Sequence, residues 1–83
     1  TAETDASADA VDVRDNRDLH RFEIVVDGEV AGFSTYQDLD HAYVFLHTEI
    51  PERFGGRGLG STLVRCALDE LRARRIRVLP YCP

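Results

Sequence analysis

The chain of 83 residues has room for one domain, and its formal net charge of −5 excludes the basic face that nonspecific nucleic-acid binding requires. No apolar run approaches the length of a membrane span, and two cysteines, Cys66 and Cys82, are too few for a disulfide framework. With no secretory signal ahead of them, a reduced cytoplasmic setting is the expectation. His20, His41 and His47 do not cluster with the cysteines, so no metal site is expected.

The acidity is uneven. Residues 1–18 hold six acids against two arginines and few large apolar side chains, and they read as a flexible acidic leader. Within it, Val11-Asp12-Val13 has the pattern of a short edge strand. Residues 19–83 are nearly neutral and form the single domain. A body of roughly 65 residues is near the lower limit for a self-sufficient core, which leaves a homodimer open.

The first clear strand is His20 to Val26, β-branched and aromatic, followed by Asp27-Gly28. Asp-Gly is a favoured two-residue hairpin turn because both positions tolerate positive φ. Glu29 to Tyr36 is the returning strand, and Gln37-Asp38-Leu39-Asp40 turns the chain again. His41 to Ile50 is a third strand, apolar on both faces, which places it inside the sheet. The three make an antiparallel meander.

Gly55, Gly56, Gly58 and Gly60 then lead into an amphipathic helix from about Gly58 to Arg74. Leu59, Leu63, Ala67, Leu68 and Leu71 fall on one stripe, and Glu70 precedes Arg74 at i,i+4 spacing. Arg72, Arg74 and Arg75 suit the negative end of the helix dipole and read as a solvated helix end. Ile76 to Pro80 is a short last strand. Strand, helix and strand imply a crossover, so the last two strands are expected to be parallel neighbours. The sequence closes on Tyr81-Cys82-Pro83.

The glycine loop either shapes a tight connection or binds an anion. A helix start leaves N–H groups without partners at the positive end of the dipole, and Arg57 adds a full charge, so a phosphate or pyrophosphate suits it. Gly55 to Gly60 has the glycine spacing of a Walker loop, but Ser61 follows with no lysine between. The dinucleotide spacing fails as well, and three antiparallel strands precede the loop where that fold needs a parallel unit.

The meander, the run IPERFGGRGLGSTLV, the helix and the short strand together resemble the core of a GNAT-superfamily N-acetyltransferase. HTEIPE, GRGLGS and LPYCP resemble the signature of its small single-domain members, over residues 20–83. The implied fold is a mixed α/β (α+β) sheet: antiparallel meander, crossover helix, parallel last strand and a truncated C-terminus. The superfamily's loop is written [Q/R]-x-x-G-x-[G/A]. Gly58 and Gly60 match its last two fixed places, whereas Gly55 stands where Gln or Arg is expected.

The resemblance implies acetyl-CoA as cosubstrate and an amine as acceptor, with no metal, nucleic acid or membrane partner. Gly55, Gly56, Arg57, Gly58, Leu59, Gly60 and Ser61 would hold the pyrophosphate, and backbone groups of Glu49 and Ile50 would pair with the pantetheine arm as an added strand does. His47 and Glu49 share a face of the third strand and are both candidates for the base; imidazole as a group accepts protons at neutral pH. Cys82 is a candidate transient acyl acceptor or proton donor, with Tyr81 its rival as donor. The same features fit a coenzyme A-binding module that works through a partner without turnover.

Overall fold

The structure is a computed structural model that describes residues 10–80. Five strands form one sheet: β1 (Val11–Asn16), β2 (Arg21–Val26), β3 (Glu29–Asp38), β4 (Ala42–Glu49) and β5 (Arg77–Pro80). They lie side by side in chain order. The first four are antiparallel neighbours, and β5 runs parallel to β4. A single helix, α1 (Leu59–Ala73), makes the crossover. The mixed sheet with one crossover is the architecture the resemblance implied.

Each turn follows its residues. Asp27 and Gly28 both take positive φ, 51° and 83°, as the tight hairpin between β2 and β3 requires. Leu59, Leu63, Ala67 and Leu71 are the buried face of α1, one residue per turn. They pack on Phe22, Ile24 and Val26 of β2 and on Tyr36 and Tyr43 of β3 and β4. Leu68, expected on the same stripe, is only half buried and lines a shallow recess of about 250 Å³ with Arg72, Ile76 and Val78.

β1 corrects the reading of the leader. It spans six residues, not three, and pairs with β2 along its whole length. Side chains explain the extension. Arg14 Nε donates to Glu23 Oε1 at 2.9 Å, and Asn16 Nδ2 donates to Glu23 Oε2 at 3.1 Å. Arg21 Nε completes the set on Glu23 Oε2 at 2.8 Å. Burial pushes the Glu23 carboxyl up, but hydrogen bonds from Arg21, Arg14 and Asn16 outweigh it and hold the group below its ordinary value.

On the helix side of β1, Asp15 accepts from the Tyr36 hydroxyl at 2.5 Å and from Arg74 at 3.0 Å. Arg74 also reaches Glu70 at 3.1 Å, the expected i,i+4 pair. Arg74 is therefore no solvated end: 24% of its side chain is exposed, and it ties the helix to the edge strand. Burial and the Asp15 carboxylate push the Tyr36 phenol well above its usual range. Residues 1–9 of the leader lie outside the described part.

Candidate functional site

The site is assembled by an irregularity in β4. Thr35 pairs with His47, yet Tyr36 pairs with Phe45, so Leu46 is an extra residue with no partner. Such a bulge bends its strand and re-aims the side chains beyond it. Before it, Tyr43 and Phe45 pack with the core beneath α1. In a regular strand His47 and Glu49 would continue on that face, because side chains alternate with period two. The bulge reverses the alternation. Thr48 now bonds Ser34 on the core side at 2.8 Å, and His47 and Glu49 turn to the face that α1 leaves open.

His47 Nε2 and Glu49 Oε1 are 3.3 Å apart, and their side chains are 60% and 57% exposed. The expected pair on one face is thus in contact with each other and with solvent. Across the sheet Glu49 faces Phe33, and His47 faces Thr35. The pairing of β4 with β5 reaches only Phe45, opposite Pro80. Among the described residues, the stretch of β4 from Leu46 to Glu49 therefore has a strand on one side only.

At the far end of that stretch Ile50 wedges between β3 and α1. A Cβ on Gly32 would stand 2.2 Å from Ile50 Cδ1 and 2.9 Å from the Glu49 carbonyl oxygen. A Cβ on Gly60 would stand 3.7 Å from Ile50 Cγ1, an ordinary contact. Gly32 thus sets how closely the strand end approaches β3. It escaped the sequence reading because its neighbour Ile50, just past the end of β4, lies 18 residues away.

The loop begins with a 3-10 turn, Glu52–Phe54, closed by Phe54 N–H on the Pro51 carbonyl and Gly55 N–H on that of Glu52, both at 2.9 Å. Phe54 is buried and anchors the loop in the core. Arg53 lies over its ring at 4.4 Å, Arg57 at 5.9 Å, and Arg53 also pairs with Glu29 on β3. Gly56 and Gly58 take φ of 77° and 70°, with open space where a Cβ would stand. Backbone conformation, not crowding, demands glycine there.

Gly58 is the N-cap of α1 and offers no side chain to the first turn. Its carbonyl accepts from Thr62 N–H and Thr62 Oγ1, each at 3.1 Å. Among the described residues, nothing accepts from the N–H groups of Gly58, Leu59, Gly60 or Ser61. Four donors at the positive end of a fifteen-residue helix fit an anionic oxygen cluster. Leu59 itself is buried and serves the core, so only its backbone faces the loop.

Cys82 and Tyr81 lie outside the described residues. No group of three or more His, Cys, Asp or Glu among the described residues could hold a metal, and none of their helices is long and apolar enough to cross a membrane.

A last strand parallel to β4, reached through a glycine loop and a crossover helix, is the frame the resemblance called for. Residues 21–83 match the family model described as GCN5-related N-acetyl-transferase, and the chain belongs to that family. A comparison with curated proteins finds no match.

Proposed function

We propose that the protein is a small N-acetyltransferase that binds acetyl-CoA and transfers the acetyl group to an amine. The observation that carries this reading is the row of four amides, unclaimed among the described residues, at the start of α1, one glycine loop after the end of β4. The amides of Gly58 to Ser61 would take the pyrophosphate, with Gly55, Gly56 and Arg57 shaping the approach. The edge of β4 toward Glu49 and Ile50, unpaired on the β5 side among the described residues, would take the pantetheine arm by strand addition.

Acetyl-CoA supplies a thioester, whose carbonyl carbon an amine attacks and whose thiolate leaves. The chain must then orient the amine and accept its proton. His47 stands near the end of β4 with Glu49 on its Nε2. With Nε2–H donating to that carboxylate, Nδ1 is the nitrogen left to take the proton. Glu49 fixes the ring and stabilises the imidazolium that results. Protonating the departing thiolate falls to Cys82 or Tyr81 by resemblance alone.

Acetyl-CoA consumption with mixed primary amines, alongside calorimetric binding, tests the proposal. Turnover that His47→Ala lowers by about 10²-fold or more, with binding retained, is the expected result. Binding without turnover, indifferent to His47→Ala and Cys82→Ala, would assign the protein to the coenzyme A-binding modules. Absence of binding would end both readings.

A further inference from the structure

The sheet has two outer edges, and they are not alike. β5 is four residues long and ends on Pro80. β1 is six residues long, contains no glycine, proline or lysine, and pairs with β2 without a break in register. Among the described residues, no strand lies against its other side. Such an edge presents a row of backbone donors and acceptors to any extended segment. The Ala10 carbonyl, which accepts from Asp27 N–H at 2.8 Å, fixes which groups these are. Residues of an antiparallel strand direct their N–H and C=O alternately to its two sides. Ala10, Asp12, Arg14 and Asn16 therefore face β2, and Val11, Val13 and Asp15 face outward. The side chains of Asp12 and Arg14 are exposed on the face of the sheet opposite α1, and Arg14 stays 56% exposed while its Nε is on Glu23.

We propose that a second copy of this chain docks on that edge, β1 against β1, antiparallel about a two-fold axis at Val13. The outward groups bond only when odd-numbered residues stand opposite one another, and charge decides among the registers that allow this. An axis at Asp12 sets Asp12 against its own counterpart, and an axis at Arg14 sets Arg14 against its own; like charges directly opposite repel. An axis at Val11 or Asp15 leaves half of β1 or more unpaired. The axis at Val13 sets Asp12 against the counterpart of Arg14 twice over, at the closer, non-hydrogen-bonded positions. On the helix side, half-buried Val13 meets its counterpart and Val11, 46% exposed, gains cover. One pair of short strands buries little surface, so the dissociation constant is on the order of 10⁻⁴ M. β2 and β3 separate this edge from β4, and the inference does not depend on the acetyl-transfer reading.

Sedimentation equilibrium and amide NMR of the full chain over a concentration series test this. A dimer is expected, with the N–H resonances of Val11, Val13 and Asp15 moving with concentration and those of Asp12 and Arg14, already facing β2, moving much less. Asp12→Arg turns both cross-axis pairs repulsive and should weaken the dimer at least about tenfold. It also makes the chain less negative than −5, so general repulsion between copies changes in the opposite direction. Asp12→Asn, which removes the attraction without adding repulsion, should weaken it less. A monomer at millimolar concentration, a dimer indifferent to Asp12→Arg, or concentration-dependent shifts confined to β5 or α1 would overturn the proposal.

Discussion

The two ends of α1 are built on opposite plans. At the C-terminal end, Arg75 N–H bonds the Arg72 carbonyl and Ile76 N–H bonds that of Leu71, with Arg75 at φ 59°. This is a Schellman closure, which satisfies the orphan carbonyls of the last turn. Arg74 then locks the same end to Asp15 and Glu70, leaving only its buried Nε without a partner. At the N-terminal end a glycine cap offers nothing, and four amides have no acceptor among the described residues. On the proposed function, the difference separates a corner that holds the fold together from one left open for coenzyme A. Damage to the first should cost stability; damage to the second should cost binding.

The largest separation is expected from Arg74→Ala. It leaves the Asp15 carboxylate, only 6% exposed, with the Tyr36 hydroxyl and the mostly exposed Arg17 at 3.5 Å. Loss of about 3 kcal/mol in urea unfolding is expected, with coenzyme A affinity unchanged under folded conditions. A drop in affinity without loss of stability would reverse the roles of the two ends.

Acid should loosen the β1 side next. Glu23 titrates lower in the folded chain than its ordinary value of 4.5, so the folded state binds fewer protons than the unfolded state between the two values. Its contribution is present above pH 4.5 and is lost as pH falls through the folded value. Glu23 is 1% exposed, yet Arg14 above it is mostly in water, so the contribution is about 1–2 kcal/mol. Glu23→Gln should flatten the acid limb of a stability-against-pH curve; an unchanged limb would discount this cluster.

Gly58→Ala forces a Cβ into the left-handed region at φ 70°, and a loss of about 1 kcal/mol is expected. Its larger effect should be on coenzyme A affinity, because the cap sets where the four amides point. The smallest effect carries the opposite sign. Arg75→Gly removes a side chain from a position at φ 59° and should stabilise by about 0.5–1 kcal/mol, read from the midpoint of denaturation.

Much of this was legible in the residues. Asp27-Gly28 announced the hairpin, the Leu59–Leu71 stripe announced α1, and the helix-length connection announced a parallel β5. The acidic leader misled because composition hides pairing. Asp15 and Arg14 look like surface charges until Tyr36, Arg74 and Glu23 are folded against them. The bulge at Leu46 left one trace, a change at fixed parity from the aromatics Tyr43 and Phe45 to the polar His47 and Glu49. Gly32 left none, since its role depends on Ile50 arriving from beyond the end of β4.

The central claim concerns where the diphosphate sits, and amide NMR during a coenzyme A titration reads that position directly. The account predicts that the N–H resonances of Gly58, Leu59, Gly60 and Ser61 move most and downfield, as donors gain an anionic acceptor, while those of Arg74 to Ile76 stay in place. Saturable binding that leaves those four amides unmoved would contradict it.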